Sequence, residues 1–223
     1  MTGIKGVYRN VHLHALNLKE TAIRHAAKLG RTYGECNFIV CHIGGGISIS
    51  AHLKGKMVDG NDIVGGEGPM APTRCGSVPA IEVAKYTAEH GLDVARAHCM
   101  KTGGFVDLLG TSDAIEVCER AAAGDKAAAR AWDAMVYQIC KWIGEMACVL
   151  KGDVDGILLG GGMVHSKELV ASIEEHCSWI APVSAYPGEF ELEAMASGAC
   201  RVLDGAEEAL AYSGEPVFTG FND

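Results

Sequence analysis

The residues best suited to chemistry surround a run of three glycines in the first quarter of the chain. These glycines are Gly44, Gly45 and Gly46, and His42 precedes them at the end of an apolar run. Glycine lets the backbone take positive φ and lets a bulky anion come close to the amide groups. The alternating residues that follow (47–51) indicate a β-hairpin. We therefore predict a hairpin whose turn binds phosphate, with His42 at its mouth.

A second candidate segment is the loop from residue 60 to residue 79, which is rich in glycine and proline and contains a single arginine, Arg74. A loop of this length inside a compact domain is usually functional or disordered. Arg74 and the acidic residues Asp62 and Glu67 favour a functional loop. The alternative is a solvated surface loop.

Two further segments would position these groups. Apolar residues at helical spacing predict a helix over residues 12–29, which contains His12, His14 and His25. We expect His12 and His25 to be surface or cap residues.

A second glycine run, made of Gly160, Gly161 and Gly162, lies between a predicted strand (155–159) and a predicted helix (166–177). A strand, glycines and a helix in this order present backbone amides and a helix N-terminus to a ligand. The run matches neither the phosphate-loop pattern GxxxxGK[ST] nor the dinucleotide pattern GxGxxG. By itself it is weak support for a nucleotide site.

The remaining pattern mixes hairpins with strand–helix units, which indicates an α/β domain with a mixed sheet. Helices are predicted over residues 80–89, 94–101, 114–123, 125–150 and 189–203, and strands over residues 56–59 and 179–186.

Composition narrows the classes of partner. The chain has 223 residues, of which 48% are hydrophobic and 21% charged, as in an ordinary soluble protein. Its net charge of −9 and the lack of a basic run disfavour nucleic acid and anionic membranes as partners. No apolar segment is long enough to cross a membrane, and the first residues lack the apolar core of a signal peptide. The nine cysteines are scattered without a CxxC pair, so we expect reduced thiols in a cytoplasmic protein.

Several motifs, taken in order, resemble one enzyme family. The motifs are HALNLK (14–19), HIGGGIS (42–48), GGEGPMAPTRCGSVP (65–79), VLKGDVDGILLGGG (149–162), LLGGGMVHSKEL (158–169) and APVSAYPGEFELEAMASGACRVL (181–203). Together they are similar to the acetate/butyrate kinase family, and more closely to its butyrate and branched-chain fatty-acid kinases. The resemblance extends over about residues 2–212.

The resemblance implies a ribonuclease-H-like fold of the actin-like ATPase superfamily, with a mixed sheet flanked by helices. In that superfamily two such domains close over ATP. The family pattern begins partway in this sequence, so residues 1–212 are expected to form the second domain and residues 213–223 a loose tail. The family's first domain, with its phosphate-binding loop and catalytic aspartate, has no counterpart here.

The family's reaction converts ATP and butanoate into ADP and butanoyl phosphate with Mg²⁺. By resemblance, Arg74 would hold the carboxylate or the transferring phosphoryl group, and His14 and His42 would donate hydrogen bonds to phosphoryl oxygens. The glycines of the hairpin would approach the β- and γ-phosphates, and Gly160, Gly161 and Gly162 would border the adenosine. Glu191 best matches the family's magnesium-associated glutamate, with Glu189 as the alternative.

Other functions remain open at this point. The missing first domain favours a non-catalytic nucleotide-binding module or a split subunit that needs a separate N-terminal domain. An acetate or propionate kinase is a further alternative. The family resemblance also implies a small carboxylic acid substrate and a homo-oligomer.

Overall fold

The computed structural model describes residues 2–215 and is built around a mixed sheet of five strands in the order β3-β2-β1-β4-β5. The strands are β1 (Asn37–Ile43), β2 (Ile47–Leu53), β3 (Lys56–Gly60), β4 (Gly156–Gly161) and β5 (Val183–Pro187). β1 and β3 are antiparallel to β2, whereas β4 is parallel to β1 and β5 is parallel to β4. The predicted mixed sheet is therefore confirmed.

Eight α-helices surround this sheet in the described part of the chain. They are α1 (Ala15–Lys28), α2 (Ala80–His90), α3 (Leu92–Ala97), α4 (Phe105–Leu109), α5 (Ala114–Ala122), α6 (Lys126–Val149), α7 (Lys167–Cys177) and α8 (Glu191–Leu203). A π-helical turn (His98–Thr102) follows α3, and 3₁₀ turns lie at Tyr33–Glu35 and Gly162–His165. Within residues 2–215 no helix has the length and apolar character needed to span a membrane.

Alternation along β1 decides which side chains face which layer. One set packs with α6 and the other with α1: Ile39, Cys41 and Ile43 on the α6 side, and Phe38 and Val40 on the α1 side. His42 belongs to the second set by the same alternation. The side chain of His42 therefore lies beneath α1, together with Ser48 of the neighbouring strand β2.

The parallel pairing of β1 with β4 brings the two glycine runs together. His42 is opposite Gly160 in the register, so the carboxyl ends of β1 and β4 lie side by side, at the same edge of the sheet. The carboxyl ends of parallel strands are where α/β folds usually bind ligands. The fold therefore places the predicted site at one edge, with α1 and α8 packed against each other on the same face.

Some predicted boundaries were wrong. The strand predicted from residue 179 begins at Val183, because the chain still turns after α7 and leaves Trp179 exposed. At its other end β5 stops at Pro187, within one residue of the predicted end, and a proline is tolerated there because β5 is an edge strand. Of the predicted tail (213–223), residues 216–223 lie outside the described residues.

Candidate functional site

The structure brings Arg74, His14 and His42 into one cluster at the end of β1. The two imidazole rings stack with their centroids 3.8 Å apart and an angle of 19° between their planes. Burial lowers the pKa of both histidines most, and the positive charge of Arg74 lowers each pKa further. The Glu191 carboxylate acts on the pKa of His14 in the opposite direction. Four predicted site residues, from four separate segments, are thus close enough to interact electrostatically.

Arg74 is a half-buried cation that has no counterion among residues 2–215. Its Nε donates to the Met100 carbonyl oxygen at 3.3 Å, and its Nη1 is buried with no hydrogen-bond partner in the described part of the chain. No carboxylate forms an ion pair with Arg74 within residues 2–215. Buried polar groups are almost always hydrogen-bonded, and a guanidinium suits carboxylate and phosphate oxygens. The unsatisfied Nη1 therefore indicates a binding site for an anion.

The glycine turn itself holds Arg74 in place. Gly46 packs against the guanidinium so closely that a Cβ at this position would overlap Nη1 and Cζ. The preceding residue of the loop, Thr73, donates to the Gly45 carbonyl oxygen from its backbone N at 3.2 Å and from its Oγ1 at 2.8 Å. Four residues before Arg74, the Met70 backbone N donates to Gln138 Oε1 of α6 at 2.7 Å. These contacts fix the loop that carries Arg74 to the hairpin and to the helix layer.

One of the two expected reasons for the three glycines was wrong, because none of Gly44, Gly45 and Gly46 has a positive φ. The lack of a side chain matters here because it leaves space. Gly46 leaves room for the Arg74 guanidinium, and a Cβ at Gly44 would lie only 3.2 Å from His42 Nε2. The space beside Gly45 is open, and the backbone N–H groups of Gly45 and Gly46 have no acceptor in the described part of the chain. Two free amides next to an unpaired arginine suit a phosphate.

His42 is a buried, neutral histidine. Its side chain is 3% exposed, and Asn17 Nδ2 lies 2.8 Å from its Nδ1. Burial, aided by His14 and Arg74, lowers the pKa of His42 to about 3. At neutral pH the ring can therefore donate one hydrogen bond without carrying charge. Burial likewise lowers the pKa of His14, whose Nδ1 lies 2.8 Å from Ser48 Oγ.

Asn17 and Ser48 were not predicted from sequence as parts of the site. They lie 25 and 34 residues from the histidines that they contact, so spacing along the chain gives no hint of the contact. One available signal was the hairpin register, because alternation places Ser48 directly opposite His42.

The second glycine run differs from its predicted arrangement, since Gly160 and Gly161 lie inside β4 and not after it. Gly161 has a φ of +97°, and a Cβ there would collide with the backbone of Ile43, so this position needs glycine to let β1 and β4 pack. Its amide donates to the Gly188 carbonyl oxygen at 2.9 Å. Gly162 begins the following 3₁₀ turn and borders an open cavity of about 370 Å³ with Met163 and Trp132.

Two glutamates lie at the start of α8. Glu191 is the first residue of the helix, whereas Glu189 precedes it and places Oε1 3.7 Å from His42 Nε2. Within residues 2–215 no group of three or more potential ligands is arranged to hold a metal ion. Mg²⁺ usually takes one or two protein carboxylates together with substrate phosphates. These glutamates therefore suit a magnesium ion that is shared with bound phosphates.

The acidic residues of the long loop have a different role from the one expected. Asp62 contacts His12 at 2.9 Å, and Glu67 accepts from Arg9 Nε at 2.7 Å. Both acids thereby hold the N-terminal segment against the loop, and they do not pair with Arg74. The expectation for His25 was also wrong: it is buried and hydrogen-bonded to Tyr186 Oη at 2.6 Å.

Comparison with solved structures defines the class of fold. Porphyromonas gingivalis acetate kinase superposes with a TM-score of 0.80 at 23% identity, over 89% of this chain and 56% of that chain. A ROK family protein from Streptococcus pneumoniae superposes with a TM-score of 0.53 at 13% identity, over 85% of this chain and 65% of that one. The chain therefore shares the fold of these two proteins, a mixed sheet flanked by helices, as predicted.

Sequence comparison defines the family. The profile of the Acetokinase family matches residues 7–177, so the chain belongs to this family. A protein from Enterococcus faecalis described as a probable butyrate kinase is 44% identical over 215 residues, which cover 96% of this chain and 60% of that protein. The chain spans about 60% of the length of the curated relatives that it matches.

Proposed function

We propose that this chain contributes to phosphoryl transfer from ATP to the carboxylate of a short-chain fatty acid, giving butanoyl phosphate and ADP when the acid is butanoate. The observation that carries the proposal is the unpaired Nη1 of Arg74, held beside two stacked histidines and two free glycine amides. Kinase homology at 44% identity to a probable butyrate kinase supports this choice of reaction.

The geometry suits a reaction that depends on positioning. A carboxylate is already a nucleophile, so the site needs no general base, and none of the clustered residues has to remove a proton. The barrier lies in bringing an anionic carboxylate up to a polyanionic phosphate chain and holding them in line. Arg74 would neutralise the carboxylate or the transferring group through Nη1. His14 and His42 would each donate one hydrogen bond as negative charge spreads over the phosphoryl oxygens.

The nucleotide would run along the edge where β1 and β4 end. The Gly45 and Gly46 amides would face its phosphates, and the cavity beside Gly162 would take the nucleoside. That cavity is mostly apolar, with Trp132 and Met163 in its wall, which suits a purine ring. A larger cavity of about 540 Å³ lies between the long loop and α6, but it contains none of the predicted site residues.

Glu191, or Glu189, would hold magnesium from the α8 side. When bound, Mg²⁺ would neutralise charge on the phosphates during transfer. Among the described residues these are the acidic side chains that lie next to the stacked histidines.

A non-catalytic nucleotide-binding module is the second candidate, because the chain spans only about 60% of its curated relatives. In that case the residues described here would form one wall of a cleft completed by a separate N-terminal domain. Half a cleft binds nucleotide without excluding water from the reacting groups. We further propose that copies of the chain associate, since large apolar side chains such as Ile81 and Leu92 are exposed.

The experiment combines turnover with binding. Butanoyl phosphate formed from ATP and butanoate is trapped with hydroxylamine and quantified, while calorimetry measures ATP binding to the same preparation. The kinase proposal predicts turnover in the wild type and a loss of about 10²–10³ in rate for Arg74→Ala, as for a lost transition-state contact. ATP binding without turnover would support the module instead. Faster turnover with acetate or propionate than with butanoate would show that the substrate is a shorter carboxylic acid.

A further inference from the structure

Two buried polar side chains, Asn17 and Ser48, have no part in the proposed reaction but contact the histidines that do. Asn17 is 1% exposed in the first turn of α1, and Ser48 is fully buried in β2. Each contacts the Nδ1 atom of one imidazole at 2.8 Å: Asn17 that of His42, and Ser48 that of His14. In a neutral imidazole one nitrogen donates and the other accepts, so a partner at Nδ1 decides where the proton lies.

The Asn17 amide is oriented with Nδ2 towards the His42 ring, 2.8 Å from Nδ1. Its Oδ1 lies on the side of Thr21, 3.4 Å from Oγ1, whose single hydrogen goes to the Asn17 backbone carbonyl oxygen at 2.8 Å. The opposite orientation would place Oδ1 beside Nδ1 and would turn a bare Nε2 towards the Glu189 carboxylate, which is repulsive. An amide NH₂ group can only donate, so Nδ1 of His42 must accept and the ring proton must lie on Nε2. The Glu189 carboxylate, 3.7 Å from Nε2, is an acceptor that suits the same arrangement.

The hydrogen bonds of Ser48 place the ring proton of His14 in the same position. Ser48 Oγ accepts from the backbone N of His14 at 3.2 Å. Its single hydroxyl hydrogen has one nearby acceptor in the described part of the chain, the Nδ1 atom of the His14 ring. If His14 Nδ1 carried the proton instead, the buried hydroxyl of Ser48 would lack an acceptor, which is costly. His14 therefore also carries its proton on Nε2.

We propose that Asn17 and Ser48 are positioning residues that hold His42 and His14 as the tautomers protonated on Nε2. The catalytic consequence rests on the proposed function: both rings then offer N–H groups, and not lone pairs, to the phosphoryl oxygens. A bare Nε2 would repel those oxygens. The two stacked rings thus act as a matched pair of neutral donors whose proton positions are set by residues that never touch the substrate.

The tautomers can be read directly, without turnover. ¹⁵N-labelled histidine is introduced into the full chain, and ring nitrogen shifts at pH 7.5 distinguish protonated from bare nitrogens; His14→Gln and His42→Gln variants assign the signals. The wild type is expected to show a bare Nδ1 and a protonated Nε2 in both rings. A proton on Nδ1 of His42 in the wild type would overturn the proposal for Asn17, and the same result for His14 would overturn it for Ser48.

Variants test whether Asn17 is the cause. Asn17→Asp has nearly the same shape but places only acceptors beside the ring, so it is expected to move a proton onto Nδ1 of His42. Asn37→Leu removes another buried asparagine, at the opposite end of β1, and should leave the His42 signals unchanged. If Asn17→Asp kept a bare Nδ1, the tautomer would not depend on residue 17, and the proposal would be wrong.

The activity measurement separates this proposal from the proposed function. With butanoate and ATP, Asn17→Leu is expected to lower kcat by about 10–100-fold, the usual effect of removing a residue that orients a functional histidine, with little change in KM for butanoate. An unchanged kcat in a variant with a changed tautomer would refute the positioning role. If neither the wild type nor any variant forms butanoyl phosphate, the proposed function fails. The ¹⁵N shifts alone then show whether Asn17 and Ser48 set the tautomers of the two histidines.

Discussion

Replacing Gly46 by alanine should inactivate the site without unfolding the protein. A Cβ at this position would overlap Nη1 and Cζ of Arg74 and lie 3.2 Å from Nε. Arg74 is a flexible side chain, so its guanidinium can move away, and the backbone of Gly46 has no positive φ that would penalise alanine. The clash is therefore relieved by displacing the cation and not by distorting the sheet.

The expected magnitude follows from this displacement. Ordinary contact requires the guanidinium to move by more than about 1 Å, and a misplacement of that size can cost about 10²-fold in rate. The free energy of unfolding should change by less than about 1 kcal/mol, because the loss of packing is offset by the lower entropy of the unfolded chain. Gly46→Ala should thus behave like a milder form of Arg74→Ala.

Rates of butanoyl phosphate formation and thermal melting would be compared for the wild type, Gly46→Ala, Arg74→Ala and the double variant. Gly144→Ala is the control, since a Cβ on this residue of α6 meets nothing within 4 Å. If Gly46 acts through Arg74, the double variant should be no slower than Arg74→Ala alone. Full activity in Gly46→Ala, or additive losses in the double variant, would refute the proposed coupling.

Two further predictions concern stability. Burial lowers the pKa of His52 to about 3, against 6.5 for an unperturbed histidine, so the unfolded state binds a proton that the folded state refuses. The stabilisation from this residue should be fully present above pH 6.5 and be lost as the pH drops towards 3, with a loss of about 2 kcal/mol at pH 5. Denaturation measured over a series of pH values should show that the stability of His52→Gln depends less on pH than that of the wild type. The same pH dependence in both proteins would contradict a low pKa for His52. Gly161→Ala should lower stability by about 3 kcal/mol or more, because it combines a strained φ with a clash against Ile43. The corresponding drop in melting temperature is about 6–12 °C. Gly162→Ala is the control and should melt near the wild type, because a Cβ at Gly162 meets nothing within 4 Å. Equal melting temperatures of the two variants would show that packing does not require glycine at position 161.

The sequence allowed the arrangement around β1 to be predicted where local patterns determine it. Apolar residues entering a glycine turn and an alternating run leaving it are sufficient to predict the hairpin, and alternation then places His42 and Ser48 on one face. The α/β class with a mixed sheet followed from the mixture of hairpins with strand–helix units. Both features depend on periodicity, which a single sequence displays directly.

Contacts between distant segments could not be predicted in this way. Gly46 needs to be glycine because the Arg74 guanidinium fills the space where a side chain would lie. The residues next to Gly46 in sequence give no sign of this contact, which forms only when the loop carrying Arg74 folds against the turn. The burial of His25 depends on Tyr186, which lies 161 residues away. The acids of the long loop similarly pair with Arg9 and His12, because the N-terminal segment crosses that loop.

The most direct test of the central claim, that Arg74 serves an anionic reacting group, is the rate of butanoyl phosphate formation in two arginine variants. Arg120→Ala removes an arginine that already has carboxylate partners, Asp125 and Glu116. Arg74→Ala removes the cation without one. A loss of about 10²–10³ confined to Arg74→Ala is the predicted result. Equal rates in the two variants would contradict the role assigned to Arg74.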